Sequence, residues 1–197
     1  MKLADLTPVS VFESVRDAIN EHVQRLVTRT SIGPVPFSLP CDALQLTIAD
    51  ITNYAQLGIA LDAPAIDYVQ SIAEVMSIAP GDGLTYSAEG LLSDDLQTPW
   101  GVVCRAALAR SELDAGNAVS IRELSVLSGI TIEGVRRCIR VGELTAAEER
   151  DDSRPGAPAT LIAASEALRW LSGRGLRSHM GFEDTPLCAR EFSRSPK

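Results

Sequence analysis

The sequence predicts a mainly α-helical fold with one small β-hairpin toward its C-terminal end. Apolar residues recur at intervals of three and four over several long stretches, which is the spacing of an amphipathic helix. Helix-capping residues precede a number of these stretches. Two short segments, on either side of a loop rich in proline, glycine and charge, have the character of strands.

The chain of 197 residues is long enough for two small domains. We expect an acidic helical domain over residues 1–97, a second domain with the hairpin over residues 98–175, and a tail over residues 176–197. The boundary follows from residues 80–97, which are rich in glycine and acid and therefore typical of a loop. The tail has no clear period, so we expect it to be loosely ordered or docked on a partner subunit.

The first domain contains three predicted helices, over residues 9–30, 42–57 and 64–79. Asp42 is the candidate N-cap of the second helix, and Pro64 occupies a permitted first-turn position of the third. Residues 31–40 contain three prolines and predict a stiff connector. The apolar stripe of the third helix comprises Ile66, Val69, Ile72, Ala73 and Met76.

The second domain begins with a predicted helix rich in small apolar residues. Thr98 and Pro99 fit its N-cap and first helical positions. Gly116 fits the left-handed residue that commonly follows a helix. This helix therefore leads directly into the segment that carries the strongest functional signal.

Residues 119–144 predict two short helices joined by a glycine-containing turn. Ser120 and Glu123 have the spacing of a capping box, in which a hydroxyl and a carboxylate reciprocally cap backbone amides at the start of a helix. Gly129 can adopt the left-handed conformation that ends the first helix. Thr131 is the candidate N-cap of the second.

The second helix of this pair has an apolar face and a charged face. The apolar stripe is predicted to be Ile132, Val135 and Ile139, with Cys138 beside it. The charged face carries Glu133, Arg136, Arg137 and Arg140. An arginine fork can grip a phosphate or bond the O6 and N7 atoms of guanine. A solvated helix face is the alternative interpretation of the same arginines.

A short helix pair whose second member carries a basic face is typical of a helix-turn-helix DNA reader. Glu133 would either accept a hydrogen bond from cytosine or favour the positive end of the helix dipole, and we favour the dipole. Arg105 and Arg110 on the preceding helix are further candidates for contact with the DNA backbone. The candidate DNA-binding residues of the pair itself are Thr131, Glu133, Arg136, Arg137 and Arg140.

The segment after the pair suggests a family. Residues 144–147 and 160–162 are candidate strands around a polar loop. Ser165 is the candidate cap of a last helix. In this helix we expect Leu168 and Leu171 to face inward and Trp170 to cover the helix pair. Over residues 119–175 this order resembles the winged helix-turn-helix of the MerR-like and excisionase-like group.

The resemblance implies a recognition helix in the major groove, a wing against the backbone or minor groove, and dimeric binding. By position, Arg136, Arg137 and Arg140 match the reading face. Arg150 and Arg154 fall in the wing. The wing here is longer than is usual and also carries four acidic residues, which phosphate would repel.

The charge of the chain is distributed unevenly. Residues 1–118 contain 6 Lys and Arg against 15 Asp and Glu, a balance of −9, whereas residues 119–197 contain 12 against 11, a balance of +1. The basic charge is therefore concentrated in the part that carries the helix pair, as DNA binding requires. Because a net charge of +1 attracts DNA only weakly, we expect useful affinity for DNA to depend on a homodimer or on a partner protein.

Several other classes lack support in the sequence. The sequence contains no apolar run long enough to span a membrane. Its N-terminal stretch contains acidic residues, which does not fit a secretory signal, so we expect a cytoplasmic protein. The four cysteines form no CxxC pair, and with two histidines they offer no zinc spacing, so we expect no metal or cofactor. Known catalytic and nucleotide-binding motifs are missing, so we expect no enzymatic activity.

Two hypotheses remain. In the first, which we favour, the protein is a sequence-specific transcriptional regulator whose second domain binds double-stranded DNA while the acidic half dimerises or senses a partner. In the second, it is a protein-interaction module, such as an antitoxin or adaptor, that has the shape of a helix-turn-helix.

Overall fold

The computed structural model describes residues 1–30, 41–77, 98–147 and 160–173, which are mainly helical. A 3₁₀ turn, Leu3–Asp5, precedes the first helix. The α-helices in these residues are α1 Pro8–Thr30, α2 Cys41–Leu57, α3 Ala65–Ser77, α4 Pro99–Asp114, α5 Ile121–Ser128, α6 Ile132–Arg140 and α7 Ala164–Gly173. The strands are β1 Val119–Ser120 and β2 Leu161–Ile162.

The three N-terminal helices are confirmed, with shifted starts. Thr7 and Ser10 cap α1 reciprocally, each side-chain oxygen accepting a hydrogen bond from the other residue's backbone amide. Helix α2 already includes Cys41, so the prediction that Asp42 is its N-cap was wrong and Asp42 lies in the first turn. In α3 the buried stripe starts at Ala65, whereas Ile66 is 42% exposed and does not belong to it.

Helix α4 begins and ends where its capping residues predict. The Thr98 side chain accepts a hydrogen bond from the Gly101 amide, and Pro99 is the first helical residue. Gly116 has a φ of 80°, and its amide donates to the Leu113 carbonyl. This left-handed residue ends the helix and turns the chain toward β1.

Two apolar clusters form the interior of the described residues, and α4 contributes to both. The first, the N-terminal core, combines buried residues of α1, α2 and α3 with the first half of α4. The second, the C-terminal core, combines Leu113 near the end of α4 with buried residues of the later elements. Helix α4 therefore packs in both cores and joins the N-terminal helices to the candidate helix pair.

Arg110 of α4 lies inside the protein, so the expectation that it reaches DNA was wrong. Its Nη1 donates to the carbonyls of Tyr54 and Ala55 at 2.7 Å each. Both carbonyls belong to the last turn of α2, and the Tyr54 carbonyl also accepts a hydrogen bond from the Gly58 amide at 2.9 Å. Burial lowers the pKa of Arg110 to about 10. Arg105 is half-buried on the same helix.

The small sheet differs from the predicted hairpin. Strand β2 pairs antiparallel with β1, with Val119 opposite Ile162. The expected strand over residues 144–147 is reduced to a single bridge between Ala147 and Leu161. The Thr145 amide donates to the Glu166 carboxylate at 2.8 Å, so it is not used for a hydrogen bond to a neighbouring strand. The intervening loop lies outside the described residues.

Helix α7 closes the C-terminal core. Its first residue is Ala164, so Ser165 lies inside the helix and the prediction that it is the cap was wrong. Trp170 is buried in this core, as expected. Leu168 and Leu171, which we expected to face inward, are half-buried beside it. Among the described helices, none is long and apolar enough to cross a bilayer.

Candidate nucleic-acid interface

The start of α5 is fixed by the predicted capping box. The Ser120 hydroxyl oxygen accepts a hydrogen bond from the Glu123 amide at 3.3 Å. The Glu123 carboxylate accepts one from the Ser120 amide at 2.7 Å. Val119 and Leu124 on either side of this cap are fully buried in the C-terminal core. The entry of the chain into the helix pair is therefore set by both polar and apolar contacts.

The turn between α5 and α6 is short and closely packed. Gly129 has a φ of 65°, the left-handed conformation expected there. The Ser125 hydroxyl donates to the Ile130 carbonyl at 2.6 Å and holds the turn against α5. The Thr131 hydroxyl oxygen accepts from the Gly134 amide at 3.1 Å, which confirms Thr131 as the N-cap of α6. These bonds fix where α6 begins.

Gly134 allows α6 to approach the turn. A Cβ atom at this position would overlap the Cγ2 atom of Ile130 and lie 3.3 Å from the Thr131 hydroxyl oxygen. Relief of this overlap requires the Ile130 side chain, the turn or the helix to move, which a closely packed site resists. The distance between the turn and α6 therefore depends on a residue without a side chain.

The apolar face of α6 is centred on Val135 and Cys138, which are both buried. Ile132 and Ile139, which the sequence placed in the stripe with Val135, are half-buried at its edges. Cys138, which we expected beside this stripe, is buried in the C-terminal core as a small apolar side chain.

The opposite face of α6 is exposed and carries the predicted charges. The side chains of Arg136, Arg140 and Glu133 are 59%, 63% and 64% exposed. Arg137 is also exposed. Together with Thr131, these residues form what we call the α6 charged face, defined as Thr131, Glu133, Arg136, Arg137 and Arg140.

Ion pairs within the α6 charged face distinguish its arginines. Arg140 Nη2 lies 2.7 Å from a Glu133 oxygen, and Arg136 Nη1 lies 3.8 Å from the other. The hydrogen bond from Arg140 lowers the pKa of Glu133, which stays ionised at neutral pH. Glu133 also lies in the first turn, as the dipole interpretation requires. Arg137 forms no ion pair with any residue that the structure describes.

Helix α6 ends at a left-handed glycine that directs the chain back into the core. Gly142 has a φ of 77°, and its amide donates to Ile139. The Glu143 amide donates to the Cys138 carbonyl at 2.9 Å, which completes a Schellman motif. Leu144 is then buried in the C-terminal core. The exposed part of α6 is consequently limited to about two and a half turns.

Not all predicted site residues come together. The five residues of the α6 charged face share one exposed surface, whereas Arg150 and Arg154 lie outside the described residues. Sequence reasoning missed Lys2, whose side chain lies beside Gly129. No local signal could have indicated that Lys2 lies there, because the two residues are far apart in the chain.

The described residues show no arrangement that suggests metal binding, since no group of three or more His, Cys, Asp or Glu side chains is suited to hold an ion. Cys104 and Cys138 are buried free thiols. Burial raises the pKa of the Cys104 thiol to about 12, so it stays protonated and unreactive at neutral pH.

Comparison with protein-family models, with curated proteins and with solved structures finds no match for this chain.

Proposed function

We propose that the protein is a sequence-specific transcriptional regulator, without enzymatic activity, that places α6 in the major groove of double-stranded DNA. The observation that carries the proposal is the α6 charged face, which lies exposed on the second helix of a capped and closely packed pair. Such a pair fixes the second helix relative to the protein, which a DNA reader needs.

The residue types on this face suit the two kinds of DNA contact. Arg137 is available for a bidentate contact with guanine or for a phosphate. Arg136 and Arg140 contribute positive charge near the same groove, while Glu133 limits how far they extend. Thr131 lies at the beginning of the helix, where a hydroxyl can donate to a phosphate.

A wing belongs to this proposal. Strands β1 and β2 and the bridge at Ala147 form a small sheet beside the helix pair. Residues 148–159 connect Ala147 to this sheet and contain Arg150 and Arg154. In a winged helix-turn-helix these two arginines would approach the DNA backbone next to α6.

Binding as a homodimer also belongs to the proposal. The net charge of −8 repels DNA, and one copy offers a short charged face. Two copies on half-sites about one helical turn apart would double the specific contacts. We therefore expect a palindromic binding sequence.

Selection of bound duplexes from a random-sequence pool tests the proposal. We expect the full chain to enrich a palindrome, and we expect the Arg136→Gln/Arg137→Gln/Arg140→Gln variant to enrich none. A triple variant that replaces the exposed residues Arg16, Glu13 and Asp17 of α1 serves as the control and should enrich the same palindrome.

Two results would refute DNA reading by α6. One is the absence of any enrichment and of any duplex binding at low salt, which would favour the protein-interaction module instead. The other is enrichment of the same palindrome by the variant that lacks the three arginines.

A further inference from the structure

The side chain of Lys2, in the N-terminal segment, lies beside the turn of the helix pair. Three carbons of its side chain, Cβ, Cγ and Cδ, lie 3.9–4.0 Å from the position that a Cβ atom on Gly129 would occupy. The aliphatic part of the Lys2 side chain therefore lies next to Gly129, in the way that a lysine stem follows a protein surface while its ammonium stays in water. Lys2 is exposed, which agrees with that arrangement.

The backbone next to Lys2 is held in place. Leu3 and Leu6 are buried in the N-terminal core. The Gln56 side-chain amide donates to the Leu3 carbonyl at 2.7 Å and to the Leu6 carbonyl at 2.6 Å. The Lys2 carbonyl accepts from the Asp5 amide within the 3₁₀ turn. Helix α2 therefore fixes the segment from which the Lys2 side chain extends over the turn.

The position of Lys2 relates it to the α6 charged face. Gly129 is two residues before Thr131, the N-cap of α6. The ammonium lies two bonds beyond Cδ, so it stays close to this turn. No carboxylate among the described residues forms an ion pair with Lys2. The Lys2 ammonium therefore adds positive charge beside the beginning of α6, whose arginines lie on its exposed face.

We propose that Lys2 contacts a phosphate of the double-stranded DNA beside the beginning of α6, so that the N-terminal segment forms part of the interface. The inference rests on the proposed function. It assigns a DNA contact to the acidic half of the chain, and it makes Gln56 a positioning residue. A backbone contact of this kind strengthens binding to all sequences and does not select among them.

The test is the salt dependence of duplex binding by the full chain with a C-terminal label, measured by fluorescence anisotropy for the selected duplex and for a scrambled one. We expect Lys2→Gln to weaken both complexes by a similar factor, about fivefold at moderate salt, and to reduce the slope of log K against log salt by about one. Lys2→Arg should retain the slope of the wild-type protein. Arg16→Gln, which removes an exposed cation from α1, is the matched control.

The outcomes separate the two proposals. A Lys2→Gln variant with the slope and affinity of Arg16→Gln overturns the contact of Lys2 while leaving the binding of α6 intact. A loss of affinity by Lys2→Gln for the selected duplex alone also overturns the contact of Lys2, because a phosphate contact would weaken binding to the scrambled duplex as well. Failure of the wild-type protein to bind either duplex at low salt overturns the proposed function and this inference with it.

Discussion

Single residues decide how the α6 charged face can act. Glu133 holds Arg140 through a hydrogen bond of 2.7 Å and attracts Arg136 at 3.8 Å. Two of the three guanidinium groups are therefore turned toward a carboxylate on their own helix. Exposed pairs of this kind contribute little to stability. Under the proposed function we expect a larger effect on binding, because the carboxylate would meet the same groove of DNA as the arginines.

Replacement of Glu133 tests this effect. We expect Glu133→Gln to strengthen binding to a scrambled duplex about twofold to fivefold at low salt, since it removes a negative charge and releases Arg140. The thermal midpoint should stay nearly unchanged. Glu13→Gln removes the same charge from the exposed side of α1 and should have a smaller effect. Equal binding by both variants would show that Glu133 does not lie near the DNA.

We also expect Glu166 to make the stability of the protein depend on pH. Hydrogen bonds from Arg169 and from the Thr145 amide lower the pKa of Glu166 to about 2. Because its folded-state pKa lies below the unfolded value, Glu166 stabilises the fold above about pH 5, and this contribution is lost as the pH falls toward 2. We expect Glu166→Gln to unfold about 1–2 kcal/mol more easily at pH 7 and to differ less from the wild-type protein at pH 3. A difference independent of pH in urea titrations would contradict this role.

Local capping signals predicted the starts of α4, α5 and α6, although the predicted caps Asp42 of α2 and Ser165 of α7 lie inside their helices. Thr98, Ser120 and Thr131 each accept the expected backbone hydrogen bond. These signals were reliable because a cap and its partner amide lie within a few residues. Strand β1 was missed because two residues leave no period, and its partner β2 is distant in sequence.

The close contact of the turn with α6 gives a prediction for this element. We expect Gly134→Ala to lower the free energy of unfolding by about 1–3 kcal/mol, because the added methyl group would overlap Ile130. Gly173→Ala is the matched control, since a Cβ there meets nothing within 4 Å. Urea titration measures both. Equal midpoints for the two variants would mean that the turn does not pack as described.

At the scale of the whole molecule, α4 connects the acidic half to the helix pair. Its first half belongs to the N-terminal core, and Leu113 belongs to the C-terminal core. Arg110 adds a polar connection by capping the last turn of α2, and Tyr54 donates to Asp114 at 2.7 Å. The sequence could not indicate that Arg110 is buried, because its partners are backbone carbonyls of another helix.

Removal of the Arg110 side chain tests this connection. We expect Arg110→Ala to destabilise the protein by about 3 kcal/mol, because the Ala55 carbonyl loses its partner and a cavity remains. Arg16→Ala, at an exposed position, should change stability by less than about 0.5 kcal/mol. If the two variants unfold at the same urea concentration, Arg110 does not join α2 to α4.

Binding of DNA by the α6 charged face is tested by an anisotropy titration of the selected duplex with the wild-type protein and with Arg137→Ala. We expect the variant to bind more weakly by about 1–3 kcal/mol, with an unchanged thermal midpoint and with Arg16→Ala binding as the wild-type protein does. Equal dissociation constants for Arg137→Ala and the wild-type protein would contradict the placement of α6 in the major groove.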